Sequence, residues 1–167
     1  MPEVPAHPAF ASRALTGIPE PDFADVQLVP LRGATGILAD EWVRAIFDPR
    51  SLPVWVKALF GLRSLLVPLI GLNQSREQAA SPFAVQDVVE GEALVVTDEP
   101  HLLFRLGVVA DDEAGFLRAT TVVQHHNWRG RLYFVPVGAM HGPVLRSMMA
   151  RAVKRVGRGN LRAVRHV

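Results

Sequence analysis

The sequence predicts an α+β fold in which a curved antiparallel sheet wraps around a long C-terminal helix. Three observations carry this. Short strand-like runs over 83–89, 93–98, 101–110, 116–126 and 130–135 follow one another through tight turns, which makes neighbours antiparallel. One long amphipathic stretch, about 140–156, comes after them. Helical spacing earlier in the chain falls between a first strand and this meander, an α+β order.

The elements follow in order. Residues 1–21, rich in Pro and Ala, read as a flexible N-terminal arm, kept extended near Pro19 and Pro21. Phe23–Leu31 forms a first strand, with Pro30 marking an edge or an end. Ile37, Leu38, Glu41, Trp42, Ala45 and Ile46 recur at helical spacing, with Trp42 as core, and Asp48-Pro49 stops that helix. Ser51 and Pro53 open a second helix running to Leu72, and Asn73–Ser81 is a polar linker. Turns are expected at Glu90-Gly91-Glu92, Asp98-Glu99-Pro100, Asp111–Gly115 and Asn127–Gly130, with Glu90 and Glu92 in solvent.

Strand parity then sorts the side chains. Phe104, Leu106 and Val108, with Leu117, Ala119, Thr121, Val123 and His125, share the inward face, and Leu132 and Phe134 continue it. Arg105 and Arg118 mark the outward faces. On the final helix Leu145, Met148, Met149, Ala152, Val153 and Val156 form an apolar stripe, with Arg146, Arg151, Lys154, Arg155 and Arg158 opposite. That stripe should lie across the hollow of the sheet. The domain is expected over 22–156, with 157–167 a basic tail.

Composition narrows the function. The chain of 167 residues has no cysteine, so disulfides, thiol nucleophiles and cysteine-based zinc sites are excluded and a cytoplasmic setting is expected. No N-terminal signal pattern is visible, and the apolar stretch Ala58–Leu72 is too short and too interrupted to span a bilayer. Charge is segregated: residues 1–113 hold eight Lys/Arg and all sixteen Asp/Glu, whereas 114–167 hold ten Lys/Arg and no acid. The two parts can neutralise each other, or the basic part can meet an acidic surface. No nucleic-acid motif accompanies the cations, so nucleic acid is not expected as a partner.

Catalytic patterns are sparse. His125-His126 are neighbours on a strand and point to opposite faces, which is poor geometry for one metal. His125 faces inward, His141 can approach the same end, and His101 reads as structural. Asp87 can reach a cavity from an early strand. No carboxylate has a histidine or serine partner at a diagnostic spacing, and no glycine-rich fingerprint calls for a cofactor.

The string "HLLFRLGV" followed by "ATTVVQHHNWRGRLYFVPVGAMHGPVLRSMMARA", with "EWVRAIF" and "FGLRSLLVPLIGL" upstream, resembles the bacterial family of unknown function DUF2867 over about residues 22–156. His125, Asn127, Arg131, Tyr133 and His141 match its polar motif positions, while "VGAMHG" departs from the more usual proline-aromatic-histidine form. The resemblance implies a START-like, Bet v 1-type helix-grip fold around an apolar cavity. Similar proteins carry apolar molecules, and a minority are cyclases or hydrolases.

The leading expectation is a binding domain for a small apolar or amphipathic molecule between sheet and final helix. Phe104, Leu106, Val108, Thr121, Val123, Phe134, Met148 and Ala152 would line the space, and His125, Tyr133 or His141 would orient a polar end. The alternatives are a cavity enzyme using His125 or His141 as acid or base, and an interaction domain acting through the basic final helix on acidic surfaces. A homodimer is also open to it.

Overall fold

The computed structural model describes residues 12–54, 56 and 84–164, the side chains of 158–164 excepted. Most of the expected second helix and the whole polar linker lie outside these residues. Five strands form one antiparallel sheet: β1 (Phe23–Pro30), β2 (Val85–Val89), β3 (Glu92–Glu99), β4 (Leu102–Asp111) and β5 (Phe116–His125). Their order is β1-β5-β4-β3-β2, so β1 crosses over to join the last strand of the meander. Helix α1 spans Ala39–Phe47, and helix α2 spans Trp128–Val164.

Turn chemistry sets the register. Glu90 and Gly91 both take positive φ (52° and 77°), which gives the β2–β3 hairpin a turn whose twist matches its strands. The Asp111 carboxylate accepts from the Ala114 amide at 2.8 Å, and Gly115, at φ 74°, closes the β4–β5 turn. The resulting pairs, Phe104 with Val123, Leu106 with Thr121 and Val108 with Ala119, put all six inward, as strand parity requires.

Two of the described helices cover the inward face. Trp42, Val43 and Ile46 of α1 pack with Ala93, Val95, Leu106 and Val108 of the sheet, and Leu145, Met148, Met149, Ala152 and Val153 of α2 complete the same core. The apolar stripe of the last helix therefore meets the hollow of the sheet, as expected. Arg155 fastens the two helices together: it donates to Asp48 Oδ2 at 2.6 Å and to the Ala45 carbonyl at 3.1 Å. The main-chain bond from Arg50 and the Arg155 guanidinium hold the Asp48 carboxyl below its ordinary range, against the opposing effect of burial.

Three expectations need correction. First, 130–135 is not a fifth meander strand. It is the opening of α2, which starts at Trp128 and continues past Gly157 to Val164. Asn127 caps it, its Oδ1 accepting from the amides of Arg129 (3.0 Å) and Gly130 (3.2 Å). Gly130 permits the docking: a Cβ there would sit 2.0 Å from the His101 carbonyl oxygen. Leu132 consequently points to solvent, although Phe134 is buried.

Second, Glu92 is buried, not solvated. Its carboxylate accepts from Ser12 Oγ at 2.6 Å and from the Arg13 amide at 3.0 Å. Third, that contact comes from within the expected arm. Residues 12–18 lie on the outer face of the sheet, where Ala14 and Ile18 pack with Val122, Leu94 and Leu103. Gly107 makes room for this, since a Cβ there would meet Glu92 Oε1 at 2.0 Å and Ser12 Oγ at 2.7 Å. Arg105, outward as expected, donates to the Thr16 carbonyl.

Candidate functional site: a polar end to the sheet–helix seam

The seam between α2 and the sheet has two unlike halves. Leu106, Val108, Met148 and Ala152 sit in its solid apolar half. Phe104 borders both halves. The other half lies under the first turns of α2. There Val123 and Phe134 pack with Leu102, Phe23, Tyr133 and Val137, and Thr121, His125 and His141 come in beside them. The expected site residues therefore divide between two places.

The polar half is built by register. Asp25 of β1 pairs with Thr121 of β5, and Gln27 pairs with Ala119, so both polar side chains of β1 face the helix. Gln27 Nε2 donates to Asp25 at 2.9 and 3.1 Å. Gly142 brings α2 close above them: a Cβ there would lie 3.0 Å from Gln27 Nε2 and 3.6 Å from Asp25 Oδ2. His141 reaches the fully buried Thr121, with Nε2 at 2.9 Å from Oγ1. Burial pushes the His141 imidazole below its ordinary value of 6.5, and the nearby Asp25 charge opposes that shift.

An aromatic chain links the two histidines. His141 stands edge-on to Phe23 at 5.7 Å, Phe23 edge-on to Phe134 at 5.0 Å, and Phe134 lies 5.3 Å from His125. The His125 side chain is only 9% exposed, with Nδ1 3.5 Å from Asp22 Oδ2. Its Nε2 is buried and has no hydrogen-bond partner among the described residues. Asp22 accepts from the His125 main-chain amide at 2.7 Å, and this bond, then the His125 and Arg131 charges, lowers its pKa despite some desolvation. His126 turns the other way, towards Asp98 at 2.8 Å, as strand parity requires. His101 is buried and stands edge-on to Tyr133 at 5.6 Å.

Chemically, the arrangement offers a desolvated imidazole with an open nitrogen, a second imidazole paired with a hydroxyl, and a carboxylate–amide pair, all walled by phenyl rings. It suits holding the polar end of a mostly apolar molecule. Among the described residues no three metal-ligating side chains converge. Asp87 is exposed and paired with Arg13 at 2.9 Å; it lines a separate open recess of about 500 Å³ between α1 and β2, with Asp40, Arg44 and Gln86.

Asp22, Phe23, Asp25 and Gln27 were missed by sequence reasoning. Their signal was an inverted strand: in "FADVQLVP" the inward set is Phe23, Asp25, Gln27 and Val29, while the exposed set is Ala24, Val26, Leu28 and Pro30. A strand whose polar residues face the core marks a built polar site.

A sheet of this order, with a long last helix laid across its hollow, is consistent with the helix-grip class of START-like and Bet v 1-like proteins. The chain belongs to DUF2867, a family described as proteins of unknown function, whose sequence profile matches residues 18–148. No curated protein and no solved structure matches it.

Proposed function

We propose that the protein binds a small amphipathic molecule in the groove between the sheet and the first half of α2. The apolar part would lie against Phe23, Phe104, Val123, Tyr133 and Phe134, and the polar end would meet His125 and His141. The observation that carries this reading is the buried Nε2 of His125, which has no hydrogen-bond partner among the described residues. Nearly all buried polar atoms are hydrogen-bonded, and an open one amid aromatic walls suits a partner that arrives with a ligand. The helix above it holds two prolines. Pro136 and Pro143 lack amide hydrogens, which removes two main-chain bonds from its ladder.

Native mass spectrometry of the purified chain, followed by solvent extraction, tests the proposal, together with titration by a fluorescent medium-chain fatty acid. A bound mass or saturable probe binding is expected, weakened about tenfold in His125→Phe, as loss of one buried hydrogen bond implies. No retained molecule and no saturable probe binding by the native chain would overturn it.

A second reading, an acid–base enzyme, draws on His141 bonded to Thr121 beside Asp25. Hydrolysis of 4-nitrophenyl butyrate that is lost in both His141→Gln and Thr121→Val would favour it over passive binding.

A further inference from the structure

The opposite side of the same half-helix carries a feature that ligand binding does not use. Trp128 is 67% exposed, Leu132 55% and Val135 71%. With exposed Ala139 they recur at three- and four-residue spacing, so they form one line along the outer face of α2. That line is about 16 Å long at ~1.5 Å per residue. Met140, 40% exposed, borders it. A single exposed apolar side chain needs no explanation, but an ordered row headed by a tryptophan does.

The charges around the row have one sign. Arg129 and Arg131 flank it near its start, and the Arg129 guanidinium sits 5.6 Å from the Trp128 ring centre. Further along, the exposed face of α2 passes to Arg146, Arg151 and Lys154. No Asp or Glu occurs anywhere from 114 to 167. Arg131 feels the Asp22 carboxylate; Arg129, Arg146, Arg151 and Lys154 have no ion pair among the described residues.

We propose that the outer face of α2 is a docking surface for an anionic lipid bilayer. A helix that lies in a bilayer interface needs an apolar face to enter the acyl boundary and cations to meet the head groups, with an aromatic at the margin. α2 presents all three on a single exposed face. A protein partner would need a groove fitted to this one ridge, whereas a flat anionic surface accepts a straight apolar line with cations beside and beyond it. No described helix is long and apolar enough to cross a membrane. This surface does not depend on the ligand reading, because its apolar row, Trp128, Leu132, Val135 and Ala139, is exposed on the side of α2 away from the polar half of the seam.

The test is sedimentation of the full chain with vesicles of phosphatidylcholine alone and of phosphatidylcholine with about 30% phosphatidylglycerol. The expected result is binding to the mixed vesicles, much weaker binding to the neutral ones, and a steep loss with added salt. Trp128→Ala with Leu132→Ser should lower partitioning at least about tenfold, and Arg129→Gln with Arg131→Gln about fivefold per cation removed. These side chains are exposed, and circular dichroism confirms that the variants fold. Three results would overturn the proposal: no binding to the mixed vesicles, equal binding by the native chain and the variants, or a native dimer that binds no vesicles and becomes monomeric in the Trp128 variant, which would assign the row to self-association.

Discussion

His141 is a buried imidazole whose charged form the fold disfavours. Burial holds its imidazole below 6.5, so the unfolded chain takes up a proton at a higher pH than the folded one. Its contribution to stability is whole above that value and is lost as pH falls from 6.5 through the folded value. Thermal unfolding between about pH 8 and about pH 5 should therefore show a larger loss for the native chain than for His141→Gln, which has no imidazole to protonate. Equal losses would mean that the imidazole is as solvated in the fold as outside it. The orphan nitrogen of His125 was not visible beforehand in this sense. Parity placed His125 inward, but only the packing of Phe134 against it shows that the ring is cut off from water.

At the scale of elements, the instructive case is the start of α2. Its sequence looked like a strand because both sides of the helix are apolar there. Tyr133, Phe134, Val137 and His141 face the sheet, while Trp128, Leu132, Val135 and Ala139 face out. With two apolar sides no amphipathic period survives. The second half of α2 was legible because its outer side is cationic. The cap at Asn127 should be one of the few supports this first half has beyond its packing. Asn127→Ala is expected to cost about 1 kcal/mol in urea unfolding, while Asn127→Asp, which keeps an accepting oxygen, should cost much less. Equal costs for the two would argue that Asn127 acts through its side-chain contact with the Pro100 carbonyl instead. Strands β2 to β5 were readable because turn residues bounded them and inward and outward sets alternated. β1 was readable as a strand, but its inverted pattern concealed Asp25 and Gln27.

At the scale of the whole molecule, the segregated charges meet at only some points. Arg155 pairs with Asp48 across the two helices, and Arg131 lies near Asp22, but the exposed cations of α2 face outward. The sequence offered mutual neutralisation or a meeting with an acidic surface as alternatives; the fold shows neutralisation at Arg155 and leaves Arg129, Arg146, Arg151 and Lys154 exposed. The topology followed from the order of elements. Which half of the seam is polar did not, because it depends on how β1 pairs with β5 across 85 residues of intervening chain, a register that no local pattern encodes.

The hold on Glu92 reaches beyond the sheet itself. The family profile starts at residue 18 and stops at 148, yet Ser12 and Arg13 lie ahead of the first limit, and Ala152 and Val153 behind the second. A shortened gene product starting at Ile18 would strip a sequestered carboxylate of both its donors, and about 1–3 kcal/mol should disappear from its urea unfolding free energy. An unchanged midpoint would show that water replaces them at no loss. The piece with full stability is thus larger than the span of the family profile, and anyone dissecting this chain should cut outside Ser12.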